Sequence, residues 1–126
     1  MAIIFHITKR AAWDSCRETP DADNEETASG RYRTEMFPIE GFIHCSKREQ
    51  VIQVANARFR GQGGLVLLSI DDSLVSAEIR YENLEGGQQL FPHVYGEINI
   101  DAVVQVTEFE PGTDGCFTWP AQLASR

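Results

Sequence analysis

The fold of this chain depends on one short stretch, Gly41-Phe42-Ile43-His44-Cys45-Ser46. Its apolar residues predict a short buried strand that ends on polar side chains. Ser46 and Glu49 match the S-x-x-E capping box, in which each side chain bonds a free backbone N–H, so a helix is predicted to follow directly. His44 would then lie at a strand end beside the positive end of a helix, where anionic groups bind readily.

A second strand-to-helix junction of this kind is predicted near the start of the chain. Residues 3–7 are almost continuously apolar, which predicts a strand that is buried on both faces. Thr8 is predicted to cap a short helix over residues 9–17, with Trp13 and Cys16 on its inner side. In each junction a histidine, His6 or His44, stands two residues before a hydroxyl residue.

The second half of the chain is predicted to be rich in strands. Buried or half-buried runs cover residues 65–70, 79–82 and 103–109. Pro92 has no amide proton, so residues 90–96 are predicted to form an edge strand or a loop rather than a central strand. Two short helices in the first half, followed by these strands, define an α+β domain.

The distribution of apolar residues predicts one domain over residues 1–110 and a C-terminal tail over residues 111–126. Phe117 and Trp119 are predicted to dock this tail. Residues 19–40 are predicted to form a mobile loop or arm, because residues 19–29 are acidic and show no apolar period. Arg31 and Arg33 bring positive charge to the arm and are expected to be solvated rather than to clamp a ligand.

Charge and composition exclude several classes of protein. The net charge of −8 and the pI near 4.8 argue against a broad nucleic-acid surface, which needs clustered Lys and Arg. No apolar run approaches the roughly 18 residues that span a bilayer, so no membrane association is expected. Three widely spaced cysteines and an N-terminus without a secretory signal indicate a cytoplasmic protein. A small phosphorylated ligand, held by a few local groups, is compatible with this net charge.

The candidate chemical residues are the three histidines, His6, His44 and His93. All three are predicted at strand ends or in loops, which is compatible with one shared cleft. The alternative is that each has a structural role. The sequence has no H-x-x-x-H or C-x-x-C spacing, so no metal site is predicted.

One interpretation pairs His6 with Thr8 and His44 with Ser46 as two H-x-[ST] elements. This arrangement resembles the 2H phosphoesterases, in which two histidines act as acid and base on a cyclic phosphate while hydroxyls hold its oxygens. The pattern is short, and helix capping is a sufficient explanation for both hydroxyls.

A longer set of motifs resembles a bacterial family, domain of unknown function 952 (DUF952). The resemblance runs from about residue 3 to residue 109. Its motifs, in chain order, are Phe5-His6-Ile7-Thr8, Glu40-Gly41-Phe42-Ile43-His44-Cys45-Ser46, Gln53-Val54-Ala55-Asn56, Phe59-Arg60-Gly61, Leu65-Val66-Leu67-Leu68 and Phe91-Pro92-His93-Val94-Tyr95-Gly96. The acidic residues 19–29 and the tail after residue 111 depart from the shared pattern.

The resemblance implies an ADP-ribosyltransferase-like fold, alongside the RNA 2′-phosphotransferases, with a split, strand-rich sheet and a cleft suited to NAD. By position, His6 matches the first-strand histidine that holds the ribose at the nicotinamide end. His44 matches the residue that packs against the nicotinamide. The third element of the fold has its counterpart in His93, or less directly in Tyr95.

Classical members of that fold carry a glutamate in the third element, and Glu82 and Glu97 are the candidates here. A carboxylate there stabilises the oxocarbenium-like sugar as the nicotinamide bond breaks. Thr8 and Ser46 are predicted to contact the bound nucleotide together with Tyr95. Arg80 could bind a phosphate bidentately, although its place in an alternating strand favours a surface position.

The sequence therefore predicts a three-histidine cleft that binds NAD or an ADP-ribose-like nucleotide and supports ADP-ribosyl or phosphate transfer. Two alternatives remain open. A 2H-like phosphoesterase would hydrolyse a 2′,3′-cyclic phosphate without NAD. A non-catalytic binding or interaction domain would hold a ligand and turn over nothing.

Overall fold

The computed structural model describes residues 2–18, 31–34, 37–83 and 89–123. The predicted mobile loop over residues 19–29 lies outside these ranges. Of the longer predicted arm, residues 31–34 and 37–40 are described. No helix within the described ranges has the length and apolar character needed to cross a bilayer.

The described chain is an α+β domain, as predicted from the sequence. The strands are β1 (Ile3–Lys9), β2 (Arg31–Tyr32), β3 (Ile43–His44), β4 (Leu65–Asp71), β5 (Glu78–Glu82), β6 (Phe91–Tyr95), β7 (Ile98–Asn99) and β8 (Val103–Phe109). The helices are α1 (Arg10–Glu18), α2 (Phe37–Glu40) and α3 (Val51–Arg58), with 3-10 turns at Arg48–Gln50, Ile100–Ala102 and Ala121–Leu123.

The strands form three small antiparallel sheets, with strand orders β1-β4-β8, β2-β7 and β3-β6-β5. Strand β4 is central to the first sheet and every one of its residues is buried. Successive side chains of a strand point to opposite faces. Accordingly, Val66, Leu68 and Ile70 enter one core cluster, whereas Leu65 and Leu67 enter the other. This sheet therefore separates the two halves of the hydrophobic core.

The C-terminal residues pack against the second of these clusters. Phe117 and Leu123 are buried in it, and the Phe117 ring stacks on Phe109 at a centroid distance of 4.8 Å. Trp119 contacts Phe5 edge to face at 5.4 Å. The predicted anchors, Phe117 and Trp119, both make these docking contacts.

Helices α1 and α3 lie where the sequence predicted them, whereas α2 lies in the predicted arm and was not predicted. The predicted caps of α1 and α3 are wrong. Thr8 belongs to β1, which continues to Lys9, and Ser46 forms a backbone bridge with Phe5. Half of a capping box forms one residue later, where the Lys47 N–H donates to Gln50 Oε1 at 2.9 Å and the Gln50 N–H donates to the Lys47 carbonyl. Pairing of the Ser46 backbone with β1 holds that residue extended, so the helical turn begins only after Lys47.

The prediction that Pro92 lies in an edge strand or loop is also wrong, because β6 is the central strand of its sheet. The Pro92 carbonyl accepts a bond from the Cys45 N–H at 2.9 Å. The reciprocal bond of that pair would need an amide proton that proline lacks. Strand β3 ends at His44. The hydrogen bond that Pro92 cannot donate would therefore lie just beyond the end of this two-residue strand.

Candidate functional site

A cavity of about 710 Å³ opens between β1, α3, β6 and the segment that contains β2 and β3. Five of the seven predicted site residues line it: His6, Thr8, His44, Ser46 and His93. The other two, Arg80 and Tyr95, do not line it. The structure therefore brings the three histidines to one cavity, although their environments differ sharply.

His44 and His93 form a directly opposed pair across strands β3 and β6. Their ring centroids are 5.1 Å apart and the ring planes are nearly perpendicular, at 79°. Phe42 packs against both rings, with centroid distances of 4.8 Å to His44 and 4.6 Å to His93. The intervening side chains, Ile43 and Val94, point to the opposite face and are fully buried, so the core fixes which way the two histidines point.

Glu82 orients the His93 imidazole. His93 is 4% exposed, and its Nδ1 lies 3.0 Å from Glu82 Oε1. Tyr95 donates its hydroxyl proton to the same oxygen at 2.6 Å. The hydrogen bonds from Tyr95 and His93 lower the pKa of Glu82, which stays a carboxylate and can only accept. The proton of neutral His93 is therefore on Nδ1, and Nε2 is left as the basic nitrogen.

Glu40 contacts the second imidazole in a corresponding way. His44 Nε2 lies 3.2 Å from Glu40 Oε2, and the two side chains are 47% and 34% exposed. Because a carboxylate only accepts, the proton of neutral His44 is on Nε2. Glu40 itself lines the cavity, whereas Glu82 contacts His93 from outside it. The wall thus carries two neighbouring histidine–glutamate pairs, one half-exposed and one buried.

His6 is chemically different from these two. Its Nδ1 lies 2.6 Å from the His44 carbonyl oxygen and its Nε2 lies 2.8 Å from Tyr32 Oη. Burial lowers the pKa of His6 from 6.5 to about 4, so the ring is neutral near pH 7. Both nitrogens are engaged within the protein. His6 therefore ties β1 to β3 and to β2, and it has no nitrogen left for proton transfer.

The Tyr32 hydroxyl extends this link to Thr8, whose Oγ1 lies 2.8 Å from Oη. A carbonyl oxygen only accepts, so the proton of neutral His6 is on Nδ1 and Nε2 must accept. The single phenolic proton of Tyr32 then goes to His6 Nε2, and the Thr8 hydroxyl donates to Tyr32. Burial raises the pKa of Tyr32 and keeps the phenol protonated. Thr8 is thus a partner of Tyr32 as well as a residue of the cavity wall.

The predicted phosphate ligand Arg80 lies directly opposite His93 on β5, on the same face of the sheet, but it does not line the cavity. Its guanidinium donates to Glu78 at 3.0 Å and lies 4.3 Å from the centroid of the Tyr95 ring. Cys45, next to His44, is buried on the core side, and burial raises the pKa of its thiol. Cys45 is therefore a buried thiol of low reactivity, because adjacent residues of an extended strand point to opposite faces.

Sequence reasoning missed several residues of the wall. Lys9, Arg33 and Arg58 line the cavity and give it a positive character in an acidic chain, although Arg33 was expected only as a solvated charge. Glu40 was overlooked as a carboxylate partner although it opens the motif that contains His44. Of the two candidate glutamates, Glu82 contacts His93 and Glu97 lies 3.8 Å from Arg33. No sequence signal joins Tyr32 to His6, since their contact crosses 26 residues.

A metal-binding arrangement is not present in the described ranges. No group of three or more His, Cys, Asp or Glu side chains there is placed to hold a metal ion.

The fold and the cavity define a small α+β domain with a paired-histidine pocket. The chain belongs to the family described as "Protein of unknown function (DUF952)", which matches residues 8–106. This match confirms the family resemblance noted in the sequence. No curated protein matches the chain.

Solved structures of protein CC0527 from Caulobacter crescentus are similar to this chain. Two crystal structures, one of a double mutant, are 30% identical with a TM-score of 0.75 and cover 93% of this chain and 94% of that chain. A solution NMR structure of the same protein has the same identity and TM-score and covers 100% of both chains. The fold is therefore shared across nearly the whole length of both proteins.

Proposed function

We propose that the cavity binds a nucleotide of the NAD or ADP-ribose class and that His44 and His93 act on it in a group-transfer reaction. The observation that carries the proposal is the opposed pair of imidazoles, each bonded to its own glutamate, on the wall of one large cavity. Paired acid–base groups of this kind are typical of catalytic sites.

The size and lining of the cavity support a nucleotide. Its volume of about 710 Å³ lies within the usual range of small-molecule sites. Phe5, Phe59 and Phe91 offer apolar surface for flat rings. The cationic side chains of Lys9 and Arg58 line the same space and complement the negative charge of a diphosphate. A flat, anionic ligand suits both kinds of lining.

The two pairs divide the proposed chemistry between them. The bond between the ribose C1′ and the nicotinamide nitrogen breaks, and its electron pair leaves with nicotinamide. The acceptor oxygen forms a new bond to C1′ and gives its proton to His93 Nε2, whose lone pair is free because the Nδ1 proton is bonded to Glu82. Glu40, the carboxylate on the cavity wall, stabilises the positive charge that develops on the sugar.

The test is a calorimetric titration of the full chain with NAD and ADP-ribose, together with detection of nicotinamide released when water is the acceptor. His44→Ala and His93→Gln are expected to abolish nicotinamide release. Arg60→Ala, whose side chain lies outside the cavity, is the control and should behave as wild type. Absence of binding for both nucleotides would overturn the proposal, whereas binding without release would identify a non-catalytic binding domain.

A second candidate is hydrolysis of a 2′,3′-cyclic phosphate, which the 5.1 Å separation of two imidazoles also favours. The His6–His44 pair that the two H-x-[ST] elements suggest is unsuited to this reaction, because both His6 nitrogens are engaged. The acid and base would instead be His44 and His93. Turnover of a cyclic nucleotide in the absence of NAD, lost in His93→Gln, would favour this candidate over transfer.

A further inference from the structure

One end of the cavity carries a group of glutamine side chains that the chemistry above does not use. Gln53 and Gln89 both line the cavity and are exposed, and Gln89 Nε2 lies 3.4 Å from Gln53 Oε1. Behind them Gln50 is 2% exposed, and its Nε2 donates to the Leu90 carbonyl at 2.8 Å. We call Gln50, Gln53 and Gln89 the amide corner.

Gln50 is the support of this corner and not a ligand contact. Its Oε1 accepts from the Lys47 N–H at 2.9 Å, and its Nε2 also lies 3.4 Å from Gln89 Oε1. These bonds attach residues 89 and 90 to the start of α3. The two outer amides, in contrast, meet each other only at 3.4 Å, beyond the usual range for a good hydrogen bond. A ligand can therefore replace that contact at little cost.

Apolar surface lies next to the corner. Phe91 follows Gln89 by two residues, and Val54 follows Gln53 on α3; both line the cavity. A planar heterocycle needs apolar surface for its faces and donors and acceptors for its edge. The corner and its surroundings offer both. The amide corner itself contains no cationic side chain, so a phosphate is not the group it suits.

The spacing from the corner to the reacting pair also fits a nucleotide. Phe91 and His93 are alternate residues of β6, about 7 Å apart along the strand. Gln89 lies two residues further, so an extended chain places it up to about 13 Å from His93. On the other wall Arg58 follows Gln53 by five residues of α3, about 7.5 Å along the helix axis. An extended dinucleotide spans comparable distances between its base, its diphosphate and its second ribose.

We propose that the amide corner is a nucleobase subsite, and that it selects a base with an adjacent amino donor and ring-nitrogen acceptor, as in adenine. A glutamine amide matches that edge with one acceptor and one donor, which is the bidentate pairing that glutamine makes with adenine in nucleic-acid recognition. At the corresponding edge, hypoxanthine presents two acceptors, O6 and N7, in place of the N6 donor and N7 acceptor of adenine, which breaks this match. The inference deepens the proposed function, on which it rests for the reacting end of the nucleotide.

The test uses calorimetry on the full chain with four probes: AMP, IMP, ADP-ribose and nicotinamide mononucleotide. Wild-type protein is expected to bind AMP about tenfold more tightly than IMP. Gln53→Leu and Gln89→Leu should each weaken AMP and ADP-ribose about tenfold and leave nicotinamide mononucleotide unchanged. Gln105→Leu, on β8 and outside the cavity, is the matched control. The exposed positions of Gln53 and Gln89 make a folding defect in these variants easy to exclude by thermal denaturation.

The outcomes separate the two proposals. The nucleobase subsite is overturned if AMP and IMP bind equally well, or if the AMP affinity is unchanged in both glutamine variants. Neither result would overturn the proposed reaction with NAD. AMP binding that depends on the two glutamines, in a protein that neither binds nor cleaves NAD, supports the subsite and overturns the transfer reaction. Failure of the wild-type protein to bind any of the four probes overturns both.

Discussion

The three histidines show how burial and partners, and not residue type, decide what an imidazole can do. His6 and His93 are similarly buried, at 6% and 4% exposed. A carbonyl and a phenol use both nitrogens of His6. Within the described ranges, the His93 ring makes its hydrogen bond to the Glu82 carboxylate through Nδ1 alone. Only the second arrangement leaves a basic nitrogen for chemistry.

A first prediction concerns Glu82, which acts through His93 as a positioning residue. In Glu82→Gln the amide can donate as well as accept, so His93 should populate both neutral tautomers. Nitrogen-15 chemical shifts of the ring measure this directly. Glu78→Gln on the same strand is the control, since Glu78 contacts Arg80 and not a histidine. A single unchanged tautomer in Glu82→Gln would refute the orienting role.

A second prediction concerns His6 and the pH dependence of stability. Burial lowers the pKa of His6 from 6.5 to about 4, so the unfolded chain binds this proton more readily than the folded one. Stability from this residue is complete above pH 6.5 and is lost as the pH falls towards 4, by roughly 3 kcal/mol.

Urea unfolding of wild type and of His6→Gln at several pH values between 7 and 4 measures this effect. Carboxylates titrate in both proteins, so the difference between the two curves isolates His6. The free energy of unfolding of the wild type should approach that of the variant as the pH falls from 7 to 4. Parallel curves would show that His6 takes up a proton without cost in the folded protein.

At the scale of elements, the positions of the longer strands were predictable and their pairings were not. The runs that became β4 and β8 have clear apolar patterns within their own sequence. The position of β6 at the centre of a sheet depends on β3, a two-residue strand nearly 50 residues away. The same pairing sets His44 opposite His93, so local patterns located the histidines but not the geometry of the pair. Ser46 was predicted as a cap for a similar reason, since its partner Phe5 is distant in sequence.

A third prediction concerns the turn between β6 and β7. A Cβ at Gly96 would lie 2.7 Å from the Ala77 Cβ, closer than carbon atoms tolerate. Gly96→Ala should therefore destabilise the protein by about 1–3 kcal/mol. The Ala77→Gly variant lacks the Cβ that makes this contact. Adding Gly96→Ala to that variant should therefore destabilise it much less than the same change destabilises the wild type. Additive effects of the two changes in denaturant unfolding would contradict this close approach.

The whole molecule carries a net charge of −8, which repels an anionic ligand at long range. Lys9, Arg33 and Arg58 counter this repulsion locally because they line the cavity itself. The proposed specificity for an anionic ligand would then come from the cavity and not from the molecular surface. Composition alone argued against a broad nucleic-acid surface but could not reveal these three positions, which come together only in the folded chain.

A fourth prediction follows from this balance of charge. Lys9→Gln should weaken ADP-ribose binding by about threefold at low ionic strength, because an exposed charge contributes modestly. The ratio of the wild-type affinity to the variant affinity should fall towards one as salt is raised above about 0.1 M, where the Debye length falls below about 10 Å. Arg60→Gln, outside the cavity, is the control for net charge. Equal losses in both variants would assign the effect to total charge.

The buried thiol of Cys45 makes the opening of this domain visible to a chemical label. Cys16 and Cys116 are partly exposed, whereas Cys45 is 3% exposed and its pKa is raised by burial. An alkylating reagent should modify two thiols of the native protein promptly and the third only when β3 separates from the core. Mass spectrometry of the slow, third addition would then count openings of the very strand that carries His44. A tight nucleotide should slow that addition in proportion to its occupancy.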